Sequence, residues 1–118
     1  MTPSELLDEL EHATYEVVEK PWGQEFVITA GDLIFKVIRV NAGEMTSLQH
    51  HEEKDEVIFV MMGNETGGVA YGSGHAGVGQ RVRIRPNTLH RTWGHAVLFE
   101  VSTNHPDDVV RHSDAYGR

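Results

Sequence analysis

The chain contains no cysteine, which excludes disulfides and thiolate metal ligands. It has no apolar run near the roughly 20 residues that a membrane-spanning helix needs. Its first residues carry Glu5, Asp8, Glu9 and Glu11 in place of a basic segment followed by an apolar one. No secretory signal is read there, and the cytoplasm is the expected location. Positive charge is scarce: 10 Lys and Arg against 18 Asp and Glu leave a formal net charge of -8. That balance is unsuited to a phosphate backbone, so neither nucleic acid nor a membrane is an expected partner. A small anionic ligand stays compatible, because a few local Arg or Lys residues suffice for one. The glycine-rich stretch 63–79 has no lysine and opens no helix, so it is not a phosphate loop.

What is present fits one domain of 118 residues. Residues 1–14 hold a short helix over 2–12: Thr2 caps it, Pro3 suits the first turn, and Glu5 completes a capping box. Leu6, Leu7 and Leu10 give it one apolar stripe, as expected of a brace packed on the domain. Residues 15–118 form the β domain, with strands at 15–19, 24–30, 33–41, 45–51, 56–62, 67–72, 80–85, 89–93 and 96–102. Pro21-Trp22-Gly23 and Ala30-Gly31-Asp32 mark turns, and Gly72 to Gly77 reads as a flexible connection. Short strands with tight turns and no second helix predict an all-β fold, an antiparallel sandwich or barrel.

Two segments carry chemistry. In Ser47-Leu48-Gln49-His50-His51 the strand period of two puts Ser47, Gln49 and His51 on one face. Glu56, Ile58, Val60 and Met62 share a face of the following strand. Polar groups near the mouth of an apolar interior are costly unless something satisfies them, and a metal ion would. Pro86-Asn87 then delivers His90 at the start of a distant strand. Gln49, His51, Glu56 and His90 would offer two imidazole nitrogens and two oxygens, a set suited to Mn, Fe, Co, Ni or Zn. The same residues also read as an ordinary surface hairpin, with His50 on the opposite face and exposed.

The residues Gly43…Gln49-x-His51-x4-Glu56-x6-Gly63 resemble the first cupin motif, G-x5-H-x-H-x3,4-E-x6-G, with Gln for the first His. Pro86-x3-His90 resembles the second motif, slightly shortened. Lys20-Pro21-Trp22-Gly23, Ser47-Leu48-Gln49-His50-His51 and the closing Val110-Arg111-His112-Ser113-Asp114-Ala115-Tyr116-Gly117-Arg118 are similar to the C-terminal isomerase domain of type II mannose-6-phosphate isomerases. The resemblance spans residues 20–118. It implies a cupin-type jelly-roll β-barrel, one divalent metal ion, a homodimer, and aldose–ketose isomerisation of a sugar phosphate through an enediolate. A short helix stands where the bifunctional relatives carry a nucleotidyltransferase, so sugar-nucleotide synthesis is not expected.

Within that reading, His50 and Glu53 are by position the candidates for the catalytic base. Lys36, Arg39, Arg91 and Trp22 are the candidate substrate-binding groups, with Arg111 and Arg118 as alternatives that could fold back near Trp22. Those two arginines could equally be pinned by ion pairs to Asp114 or Glu100. Arg81, Arg83 and Arg85 alternate with Val82 and Ile84 and are expected to point out of the barrel. A metal-dependent oxygenase, a lyase or epimerase, and a non-catalytic sugar-binding cupin are the competing functions.

Overall fold

A computed structural model describes residues 1–118. The helix α1 (Pro3–His12) precedes eleven strands: β1 (Tyr15–Lys20), β2 (Gly23–Ala30), β3 (Leu33–Val40), β4 (Leu48–His50), β5 (Glu56–Gly63), β6 (Gly68–Tyr71), β7 (Gly74–Ala76), β8 (Arg81–Ile84), β9 (His90–Trp93), β10 (Ala96–Thr103) and β11 (Val110–Ser113). They form two antiparallel sheets, six strands in the order β1-β2-β3-β10-β5-β8 and five in the order β11-β4-β9-β6-β7. This is the jelly-roll arrangement the alternating short strands predict, two sheets packed face to face.

The register of the large sheet explains where the site lies. Across β3, β10 and β5 the inward rungs run Val40–Ala96, then Ile38–Leu98–Val60, then Lys36–Glu100–Ile58, then Ile34–Ser102–Glu56. The first two rungs belong to an apolar core that Val69, Ala76, Val82 and Ile84 complete. The last two carry charge into the interior, so the barrel is apolar at one end and ionic at the other. Trp22 sits in the core at 4% exposure. Gly23 beside it must be glycine, because a Cβ there would lie 1.9 Å from the Arg39 carbonyl oxygen.

Several boundaries differ from the sequence reading. The strand expected over 45–51 is confined to Leu48–His50. The preceding stretch is held by other means: Arg91 Nε donates to the Thr46 carbonyl and the Thr92 amide to Thr46 Oγ1. The expected flexible connection contains β7, a hairpin partner of β6 with Tyr71 opposite Gly74. β11 has no counterpart in the reading, since all four of its residues are exposed and no alternation marks it. Met62 was expected to face inward, but the register shifts between Val97 and Leu98. The extra residue puts both Met61 and Met62 outside, 58% and 60% exposed. Thr2 caps α1 as expected, its hydroxyl accepting from the Glu5 amide at 3.1 Å. The brace is loose, however: no residue of α1 is buried, and Leu7 is 66% exposed.

Candidate metal and ligand site

Three buried side chains converge at the ionic end of the barrel. His51 follows β4, Glu56 opens β5 and His90 opens β9, and their ligand atoms all lie within 4.8 Å of one another. Glu56 Oε1 is 3.6 Å from His51 Nε2 and 3.3 Å from His90 Nε2. The remote ring nitrogens fix both tautomers. His51 Nδ1 faces the Asp108 carbonyl and His90 Nδ1 the Thr88 carbonyl at 2.9 Å. A carbonyl only accepts, so each Nδ1 carries a proton and each Nε2 is the ring nitrogen turned toward the carboxylate.

Two ring nitrogens and a carboxylate oxygen gathered in a buried pocket are costly unless a proton or a metal cation is shared among them. His51 Nε2 is accordingly buried with no hydrogen-bond partner. These nitrogen and oxygen donors fit a divalent ion of the borderline or hard class, and the carbonyl contacts behind the rings are those that orient metal-binding imidazoles.

Gln49 lines the same chamber, between Arg111 of β11 and His90 of β9 in the ladder. Its Oε1 accepts from Ser47 Oγ at 2.7 Å. The loop joining His51 to Glu56 is pinned by one residue from far along the chain. The Asp108 carboxylate accepts from the amides of Glu52, Glu53 and Lys54 at 3.0, 2.7 and 2.8 Å. Those three amides hold the Asp108 carboxyl down at about 2.

Behind Glu56 lies a second buried charge chain. Lys54 Nζ is 3.1 Å from Glu56 Oε2 and 3.0 Å from Glu100 Oε1. Neither contact is well aligned for a hydrogen bond, so both carboxylate oxygens rely on the ammonium charge. Burial opposes the Lys54 ammonium, but Glu100 and Glu56 outweigh it and hold its pKa above the ordinary lysine value. Burial, and then the charge of Glu56, push the Glu100 carboxyl up to about 8. Burial works the same way on Glu56, but His51, His90 and Lys54 reverse it and hold that carboxyl well below its usual value.

The chamber above these groups measures about 90 Å³, with Ile38, Ile58 and Leu98 in its lining. It shares part of its wall with an outer vestibule of about 430 Å³ between the β1 edge of one sheet and residues 106–111 beside the other. Lys20, Glu25, Lys36, Gln49, His51, Lys54 and Arg111 line both.

The structure thus brings together Gln49, His51, Glu56 and His90, and adds Lys36 and Trp22 to the same chamber. Other sequence candidates lie elsewhere. His50 points to the outer face, its Nδ1 2.7 Å from His112 Nε2. Glu53 is 75% exposed, 3.5 Å from His105 Nε2. Arg39 is bonded to Gln24 at 2.9 Å, and Arg91 to backbone carbonyls beneath Trp93, both outside the chamber. For His50, Arg39 and Arg91 the period of two decides the placement, since strand residues adjacent to an inward one face outward, while Glu53 lies in the loop between β4 and β5. Arg111 and Arg118 do reach the chamber with Trp22. Arg118 is held by Asp114 at 2.8 Å, while Glu100 pairs with Lys54 and with neither arginine. Arg81, Arg83 and Arg85 point outward as expected, Arg83 onto Asp55 at 2.6 Å. The sequence reading missed Lys54, Glu100 and Asp108 as site residues. A carboxylate in the inward series Ala96, Leu98, Glu100, Ser102 was a legible signal for one of them; Lys54 and Asp108 lie in loops and left none.

No protein-family model and no curated protein matches the sequence. Solved structures do resemble it. A protein from Planctomyces limnophilus superposes with a TM-score of 0.68 at 18% identity, over 85% of this chain and 90% of that one. The mannose 6-phosphate isomerase from Bacillus subtilis gives 0.71 at 14% identity, over 87% of this chain and 60% of that one. A cupin-2 domain protein, Rru_A2000 from Rhodospirillum rubrum, gives 0.68 at 13% identity, over 87% and 77%. At these identities the likeness concerns the fold, and the fold is that of a cupin: two antiparallel sheets closing over a buried His-His-Glu cluster.

Proposed function

We propose that this chain is a metal-dependent cupin enzyme that isomerises a sugar or sugar phosphate, with residues 15–118 as the cupin unit and α1 as its appendage. One divalent ion, drawn from Mn, Fe, Co, Ni and Zn, would be held by His51, Glu56 and His90 with Gln49 as the fourth donor. The observation that carries this reading is the pair of Nε2 atoms directed at Glu56 Oε1 from rings whose Nδ1 protons are already committed. When bound, such an ion supplies Lewis acidity to the oxygens of a ligand, and four protein donors leave positions open for them.

The remaining work falls to the chain's own groups. Ile38, Ile58 and Leu98 give the chamber an apolar floor that limits water. Lys36, paired with Glu25 at 3.1 Å, and Thr92 offer polar contacts to hydroxyl groups. Lys54 and Glu100 line the chamber where His50 and Glu53 do not, which supports giving them, in this reading, the transfer of a proton between neighbouring carbons. Support for isomerisation over oxygenase, lyase or binding-only functions comes from the terminal motifs, because Trp22, Arg111 and Arg118 meet at one chamber.

A homodimer is part of the proposal. The outer face of the large sheet presents Tyr15, Phe26, Ile28, Phe35, Val37 and Phe99 around an apolar groove of about 350 Å³. A second copy is the occupant that the resemblance implies.

The test is proton exchange. Metal-stripped protein is reconstituted with each of the five metals, incubated with mannose 6-phosphate in D₂O and followed by NMR. Deuterium entering at C2, or fructose 6-phosphate appearing, in one metal form and not in the apoprotein supports the reading. Silence in every form removes the isomerase and leaves the metal site to be judged separately.

A further inference from the structure

The inner chamber is lined by five cations, Lys20, Lys36, Lys54, Arg111 and Arg118, in a chain whose net charge is -8. Three of the five are committed. Lys36 is paired with Glu25, Lys54 with Glu56 and Glu100, and Arg118 with Asp114. The side chains of Lys20 and Arg111 have neither an ion pair nor a hydrogen bond, and both line the chamber and the vestibule.

Their places in the two sheets explain why they face the same space. Arg111 on β11 stands opposite Gln49 on β4, and Gln49 opposite His90 on β9. Residues opposite one another in a ladder project to one face, so Arg111 belongs to the row that ends at the His-Glu cluster. Two strand spacings, about 10 Å, separate its backbone from that of His90. Lys20 approaches from the other sheet, at the end of β1 where the chain turns into Pro21-Trp22. The two therefore border both chamber and vestibule, one from each sheet, and this shared border is the neck. Of the acidic groups that line the vestibule, Glu25 is paired with Lys36 and the Asp108 carboxylate is bonded to three amides, while Glu16 at the far end of β1 has no partner.

We propose that Lys20 and Arg111 form an anion subsite at this neck. The ligand then has two ends, a set of oxygens at the His51–Glu56–His90 cluster and an anionic group, phosphate or carboxylate, held several bonds away between the two cations. A neutral ligand would leave both cations without a partner. The position of the oxygen-binding end rests on the metal reading above; the anion subsite does not.

The experiment measures binding, not turnover. Inorganic phosphate and gluconate are titrated separately into metal-stripped and metal-loaded protein, with calorimetry and amide NMR shifts as readouts. Lys20→Gln, Arg111→Gln and an outward-facing control, Arg81→Gln, are compared with the unaltered chain. At least one anion is expected to bind the unaltered, metal-stripped protein and shift the amides of residues 20 and 111. Each of the first two substitutions weakens it about tenfold, the scale of one charge-assisted hydrogen bond, and the control leaves it unchanged. Tighter binding of phosphate assigns the anionic end to a phosphate ester, and tighter binding of gluconate to a carboxylate. If neither anion binds, or if Lys20→Gln and Arg111→Gln bind it as well as the control, the subsite is refuted. Because the apoprotein is read, failure of the metal or isomerase reading leaves this result intact.

Discussion

Replacing Lys54 by methionine removes the single cation between two buried carboxylates while keeping most of the side-chain volume. The side chains of Lys54, Glu56 and Glu100 are 10%, 1% and 6% exposed, so water can do little to compensate. Removing one partner of a buried ion pair costs about 3–5 kcal/mol, because the charge left behind stays desolvated. A chain of 118 residues has roughly 6–18 kcal/mol of total stability, so the loss is a large fraction of it. At about 3–6 °C per kcal/mol for a domain this size, the melting temperature falls by roughly 9–30 °C. Glu56 is ionised at neutral pH and Glu100 only above its value of about 8, so the measurement is made above that pH, where the penalty depends on both and Lys54→Met with Glu100→Gln recovers about half of it or more. A divalent ion on Glu56 also supplies positive charge, so metal loading narrows the gap between Lys54→Met and the unaltered protein. Urea unfolding of apo and loaded forms of the three proteins reads all of this. A cost under about 1 kcal/mol for Lys54→Met, or no coupling to Glu100→Gln, refutes the buried charge chain.

Three further outcomes follow from named contacts. The Asp108 carboxyl is held at about 2 in the folded chain, below its unfolded value. The unfolded state therefore binds more protons in between, and the stability Asp108 contributes is complete above about pH 4 and lost as pH falls toward 2. Acid titration of Asp108→Asn shows a flatter loss over that window; an unchanged profile contradicts the role of the three amides. Val37→Glu on the 42% exposed outer face leaves the fold intact and shifts the protein to monomer in sedimentation equilibrium, whereas an unaltered dimer excludes that face as the interface. Gly23→Ala brings a Cβ to 1.9 Å from the Arg39 carbonyl and costs several kcal/mol by thermal unfolding. A loss below about 0.5 kcal/mol contradicts the close approach of β2 to β3.

The parts of the molecule legible in the sequence are those governed by strand periodicity. The strand read at 96–102 is β10, one residue short of its observed end at Thr103, and the period of two put Gln49 and His51 inside and His50 outside. His90 was legible because Pro86-Asn87 ends one strand and restarts another. Periodicity failed where the backbone departs from it, at the bulge that turns Met62 outward and in the exposed β11. It was silent on loops. Lys54 and Asp108 enter the site through turns whose shape depends on contacts between residues more than 50 positions apart, and no local pattern encodes those. The catalytic candidates were misplaced for the same reason, since nearness to His51 in sequence does not bring a side chain to its face of the strand.

The central claim is that His51, Glu56 and His90 hold one divalent ion. Cobalt(II) titration of metal-stripped protein, followed by calorimetry and visible absorption, tests it most directly. The account predicts one ion per chain with nitrogen-and-oxygen ligand-field bands. It predicts loss of both heat and bands in His51→Ala and His90→Ala, each of which stays folded by circular dichroism, and retention in His50→Ala. Absence of binding by the unaltered protein, or undiminished binding by His51→Ala and His90→Ala together, would contradict it.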